Sequence, residues 1–235
     1  DLVFPHHQNE VAQSEAATGK KFVNYWVHNE WLLVEGKKMS KSLGNFFTLR
    51  DLMKKGHKPI TIRYLLMSAP YRTQLNFTEE GVTAAESALQ RLSDFMQKIS
   101  ELKNLDKSEN NKMKTIIGKA KERFEKAMDN NLSTSDALAG IFEFVKEINK
   151  LIAEDKVGKK NAKEIEEFML SINKVLVILE ENKEDIPEYI RQLAEERQEA
   201  RKRKDFKQSD LIRDMLKEKG YIVEDTPNGP RVKKI

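Results

Sequence analysis

The sequence predicts a mostly α protein with a partial α/β portion at the front, a helical bundle through the middle and a small α+β unit at the end. Three observations carry this reading. Only 10 Gly and 6 Pro punctuate 235 residues of which 34% are charged, a composition that suits long amphipathic helices better than a many-stranded sandwich or barrel. Beyond Thr78 apolar residues recur at three- and four-residue spacing, the signature of helices with one buried face. Before it, short apolar runs alternate with helical stretches, as they do in layered α/β domains. The divisions fall at 1–75, 76–185 and 186–235.

In the first portion the runs Leu2 to Phe4, Phe22 to Val27 and Trp31 to Val34 read as strand-like, and Pro5 suits the first turn of a helix. Thr48-x-x-Asp51 resembles a capping box, so a helix starts there and ends near Gly56. The Thr78 hydroxyl can cap the next helix, which Val82, Ala85, Leu89, Leu92, Phe95, Met96 and Ile99 mark as amphipathic. A polar stretch from Asn104 to Lys112 interrupts the pattern, and further periodic segments follow at 113–128, 134–154, 161–181 and 187–205. Ser133 or Thr134 starts the second of these, and Pro187 occupies a first helical position, where its missing N–H is harmless. Ser209 to Lys219 reads as a helix stopped by Gly220, and two short strands around an Asn228-Gly229 turn complete the chain.

Charge and composition exclude little by themselves. The 42 Lys and Arg against 38 Asp and Glu leave a net +4, which permits a polyanionic partner without demanding one. With no cysteine there is no disulfide, and a metal would have to use His, Asp, Glu or groups from another chain. No apolar run approaches the roughly 20 residues that span a bilayer, so no membrane association and a cytoplasmic location are expected. The opening DLVFPHH has no initiator Met and runs straight into apolar residues, which reads as an internal starting point.

The most specific chemical signal is Lys38-Met39-Ser40-Lys41-Ser42, set between Gly36 and Gly44. A loop holding two ammonium groups can fold over a nucleotide triphosphate and place positive charge where negative charge grows on departing pyrophosphate. A lysine-rich surface turn is the plainer reading of the same five residues. Second comes His6-His7-Gln8-Asn9-Glu10. On a helix His6 and Glu10 stand four apart on one face and can share an ion, with His7 the second choice of imidazole, or can be an ordinary surface pair. Trp26 and His28 precede the lysine loop on an apolar, strand-like stretch and by themselves read as an aromatic core residue and a satisfied histidine, while His57 looks like helix-end chemistry. Near the end Arg191, Arg197, Arg201, Lys202, Arg203, Lys204 and Lys207 give a basic helix that could meet RNA phosphates or be a solvated face paired with Glu195, Glu196 and Glu199.

The five-residue lysine loop resembles that of class I aminoacyl-tRNA synthetases, and its surroundings resemble the cysteine–tRNA ligases. That likeness rests on Asp1 to Glu10 with Ala12 to Glu15, on Trp26-Val27-His28-Asn29, and on Lys38 to Phe47. It continues through Arg63 to Leu66, Tyr71-Arg72, Leu75-Asn76-Phe77, Met128 to Thr134 and Arg197 to Pro230, covering nearly the whole chain. The family usually has Glu where this chain has Gln8.

The resemblance implies a partial Rossmann-type nucleotide-binding domain, an anticodon-side helical bundle and activation of L-cysteine by ATP for transfer to tRNA(Cys). Lys41 is then the ATP-contacting lysine with Lys38 in support, His28 a neighbour of the adenylate, and His6 and Glu10 two ligands of a Zn2+ completed by upstream cysteines. The family's His-x-Gly-His motif is not in this sequence. The expectations are therefore an intact enzyme that is a monomer, and a chain that alone neither forms the adenylate nor holds zinc tightly. Two other readings stay open, a related ligase joining cysteine to an amino sugar and a non-catalytic RNA-binding or helical interaction module.

Overall fold

A computed structural model describes residues 2–102, 109–179, 187–226 and 229–234. They form two compact units, Asp1–Glu180 and Glu181–Ile235.

In the first unit Leu2–His7 coils in wide helical turns broken at Phe4, which is extended (φ −132°, ψ 130°). α1 (Gln8–Thr18) follows and ends on Gly19 at φ +64°. No residue from Leu2 to Trp31 is buried. The strand-like reading of Leu2 to Phe4 and of Phe22 to Val27 is therefore corrected. A strand needs a ladder partner for its backbone, and among the described residues neither run has one.

The third apolar run does pair. β1 (Leu32–Val34) lies between β2 (Lys37–Lys38), antiparallel, and β3 (Leu75–Phe77), parallel. Glu35 and Gly36 join β1 to β2 with both φ positive, the two-residue turn that fits a hairpin's twist. The turn is held from β3, since Gly36 N–H donates to Asn76 Oδ1 (2.8 Å) and Glu35 N–H to the Phe77 carbonyl (3.0 Å).

α2 (Leu49–Lys54) and α3 (Pro59–Met67) bridge to the bundle of α4 (Glu79–Leu102), α5 (Met113–Asp129), α6 (Thr134–Ala153) and α7 (Lys159–Leu176). The expected starts at Thr48 and Thr78 form. Thr48 and Asp51 make a reciprocal capping box, and Gly81 N–H donates to Thr78 Oγ1 at 3.0 Å. Ser133 stands at the cap of α6 without its side chain accepting a cap N–H, and its hydroxyl donates to Asp136. The spaced apolar residues meet inside the bundle: Leu92, Phe95 and Ile99 of α4 are nearly inaccessible, and Phe144 meets Phe95 and Phe168 edge-on at 6.5 and 5.0 Å. Val34, Leu52, Ile62, Leu65 and Phe77 belong to the same core, so the small sheet and α2–α3 are seated on the bundle.

Two expectations fall on residues outside the described ones. The polar break at 104–112 is described only from Glu109, and the 161–181 segment only to residue 179. Within it α7 stops at Leu176, with Val177 in the left-handed conformation (φ +53°).

The second unit has α8 (Glu188–Lys202), α9 (Phe206–Glu218), β4 (Tyr221–Thr226) and β5 (Gly229–Lys234), the strands antiparallel. Its own core is Ile190, Ala194, Ile212, Leu216 and Val232. The predicted 187–205 helix ends at Lys202, Lys204 takes φ +62°, and Asp205 caps α9 by accepting Gln208 N–H (3.1 Å). Pro187 stands one place before the first helical residue. The Asn228-Gly229 turn is described only at Gly229.

Candidate functional site

The loop carrying Lys38 and Lys41 is built by its neighbours. Lys38 ends β2, and Met39 packs, half-buried, against the core. Asn45 clips the loop, its Oδ1 accepting Ser40 N–H (2.9 Å) and its Nδ2 donating to the Lys38 carbonyl (3.1 Å). Gly44, at φ +67°, lets its N–H turn back to the Lys41 carbonyl (3.1 Å). Behind the loop the capping box holds the Asp51 carboxyl below its ordinary value, chiefly through the Thr48 hydroxyl. The two ammonium groups are parked on aromatic faces, Lys38 Nζ 4.9 Å from the Trp31 ring and Lys41 Nζ 5.7 Å from the Phe46 ring. Among the described residues, an anion that takes them has these exposed contacts to displace.

His28 joins an aromatic stack rather than a core. His7 lies 4.5 Å from Trp26 and 5.0 Å from His28, centroid to centroid, and His28 Nε2 is 3.0 Å from His7 Nδ1. One of the two nitrogens must carry a proton for that contact to be a hydrogen bond. Beside the stack an open cleft of about 400 Å³ is lined by Trp26, His28, Asn29, Glu30, Tyr71 and Arg72.

His6 is exposed at the end of the first turns and Glu10 is exposed on α1, four positions on. Among the described residues no group of three or more His, Asp or Glu could hold a metal ion. An imidazole and a carboxylate suit zinc by chemistry, but two ligands fall short of the four a closed site needs, so these residues alone do not make one.

His57 is tied to Glu79, with Nε2 to Oε2 at 3.4 Å. In the second unit Arg197, grouped by sequence with the exposed basic residues, is buried, donating two hydrogen bonds to Asp225 (2.7 and 3.3 Å). The i,i+4 pattern could not reveal this, because the acceptor lies on β4. Asn45, Glu30, Tyr71 and Arg72 are the site features that residue-by-residue reading misses. Only the Gly44-Asn45 pair, a turn signal, hints at one of them.

A loop with two presented ammonium groups follows the antiparallel β1–β2 hairpin of a small sheet seated on the helical bundle, an arrangement in line with the class I synthetase resemblance. Residues 1–87 match the family model described as the tRNA synthetases class I (C) catalytic domain. Residues 123–180 match the DALR domain, and residues 183–231 match the cysteinyl-tRNA ligase anticodon binding domain. Over its full length the chain is 46% identical to the cysteine–tRNA ligase of Protochlamydia amoebophila, covering 49% of that protein. It is 42% identical to that of Chlamydia muridarum (51% covered) and 40% identical to that of Koribacter versatilis (53% covered), again over its full length. Over its full length the chain matches the C-terminal portion of cysteine–tRNA ligases. It spans about half the length of the curated relatives it matches. The anticodon-binding match over 183–231 does not favour the amino-sugar ligase, and the catalytic-domain match over 1–87 does not favour the non-catalytic module.

Proposed function

We propose that the protein takes part in ATP-dependent attachment of L-cysteine to tRNA(Cys), as a monomer in the cytoplasm. The carrying observation is the clipped loop that presents Lys38 and Lys41 on exposed aromatic faces, within a chain similar throughout to cysteine–tRNA ligases. In the first step a carboxylate oxygen of cysteine attacks the α-phosphorus of ATP and the bond to pyrophosphate breaks. In the second a hydroxyl of the terminal adenosine attacks the acyl carbon and AMP departs. Lys41, supported by Lys38, neutralises the charge that grows on pyrophosphate, and its leverage lies in the transition state. His28 is proposed beside the adenylate. Residues 1–75 serve the chemistry, 76–185 form the helical tRNA-binding bundle, and 186–235 form a C-terminal helix and small α+β unit, which the match over 183–231 adds to the anticodon-binding part; the order of the family matches supports this division.

Pyrophosphate exchange on the full-length gene product tests this: Lys41→Ala should lower the rate about 100-fold or more, the scale of losing one charge-stabilising donor. Unaltered exchange would remove Lys41 from the site. His6 and Glu10 are proposed as two of the ligands of a zinc ion, which when bound would select a thiolate over a hydroxyl. Metal analysis of the same protein carrying His6→Ala should show zinc lost, and undiminished zinc would exclude His6.

A further inference from the structure

We infer that Asn131, at the corner between α5 and α6, is a positioning residue for the cleft beside Trp26 and His28, acting through Tyr71. Tyr71 is the hub of four contacts. Its carbonyl accepts Glu30 N–H at 2.9 Å, fixing one wall of the cleft. Its hydroxyl donates to Asn131 Oδ1 at 2.7 Å and accepts from Arg72 Nε at 3.2 Å. Its ring carries the Arg72 guanidinium, 5.6 Å from the centroid.

The corner is a firm anchor. Asn131 and Leu132 both take positive φ (+60° and +54°), and Ser133 N–H donates to the Ala127 carbonyl at 3.0 Å. A second bond reaches from the same corner to the same strap, Thr134 Oγ1 donating to the Met67 carbonyl at 2.7 Å. Segment 67–72 is thus tied to the bundle at both ends, and Glu30 is tied to that segment. With residues 2–31 bearing no buried side chain, this chain of bonds adds a hold on the cleft wall to the one that β1 gives through Trp31. Loss of the Asn131 acceptor frees the Tyr71 ring, and with it Arg72 and the Glu30 backbone.

The positioning claim stands on geometry alone, and only its purpose, to make a ligand at the cleft sensitive to what the bundle holds, rests on the ligase reading. Its test therefore needs no substrate and can fail while pyrophosphate exchange succeeds.

The protein has two tryptophans, Trp26 and Trp31, which flank Glu30, so two indole N–H signals in an amide correlation spectrum of the labelled chain report on this wall. Trp31→Phe assigns them. Asn131→Gly removes the acceptor while suiting the left-handed backbone. It should shift the Trp26 indole and Glu30 amide signals and speed Glu30 amide exchange about three- to tenfold, the reach of one hydrogen bond. Asn131→Asp keeps the acceptor and should restore the wild-type pattern. Tyr71→Phe deletes only the hydroxyl and should reproduce the glycine pattern, which decides the matter even if Asn131→Gly also lowers the melting temperature. Unmoved Trp26 and Glu30 signals in Tyr71→Phe, or an Asn131→Asp pattern like that of glycine, would overturn the inference.

Discussion

Arg197 shows how much one side chain can decide. It is 6% exposed, its Nε has no partner among the described residues, and its two terminal nitrogens both reach Asp225, which Arg201 also contacts. A buried guanidinium without its carboxylate is an uncompensated charge. Asp225 is itself half-exposed, so water softens the loss, and Asp225→Asn should destabilise the second unit by about 1–3 kcal/mol rather than the larger figure for a sealed pair. The direction of the shift sets the pH dependence. The Arg197 hydrogen bond holds the Asp225 carboxyl below its ordinary value of 3.8, so the stabilisation is fully present above that value and drains away as pH falls through the lowered folded one. Amide-exchange protection of Tyr221 to Asp225, measured downward from pH ~6, should fall at the acid end in the wild type and start lower but fall less in Asp225→Asn. Parallel profiles would show that Asp225 does not hold the hairpin.

At the scale of elements, legibility tracked how local the deciding physics was. α5 and α6 lie where apolar spacing places them, because Phe124, Ala127, Leu138, Ile141 and Ile148 repeat with the helix period and one face is buried. The capping box at Thr48 and Asp51 was equally readable, its four residues containing both partners. The break between α8 and α9 reads from the sequence as 206–208 and lies at 203–205. Arg201 to Asp205 carries ordinary helix formers, and the turn depends on Lys204 at φ +62° and on Asp205 serving as the cap of α9. The runs at Leu2 to Phe4 and Phe22 to Val27 have the composition of strands, but a strand is a property of pairs, and composition cannot supply the partner. The site divides in the same way. Lys38 and Lys41 stand out in one contiguous motif, whereas the cleft joins Trp26 to Tyr71 and Tyr71 to Asn131, contacts that only the fold brings together.

Over the whole molecule, stability is unevenly placed. Each unit has its own core, and among the described residues no helix is long and apolar enough to cross a membrane. The front of the first unit shares in neither core: Leu2, Val3 and Phe4 are 59%, 58% and 74% exposed, and Tyr25 is 89% exposed. No residue of α1 is fully buried, so its helical hydrogen bonds are backed by little packing, and opening it exposes no core. Within residues 2–102 trypsin should therefore cut first after Lys20 or Lys21, which come just after the left-handed Gly19, between α1 and the unbacked segment. Lys37, Lys38 and Lys41 should resist longer, because β1 pairs with β2 and Asn45 clips the loop from both sides. A brief digest read by mass spectrometry settles the order of these cuts. Cleavage at Lys38 or Lys41 ahead of Lys20 and Lys21 would mean that the clip does not restrain the loop, and that the lysines are presented by a freely moving segment.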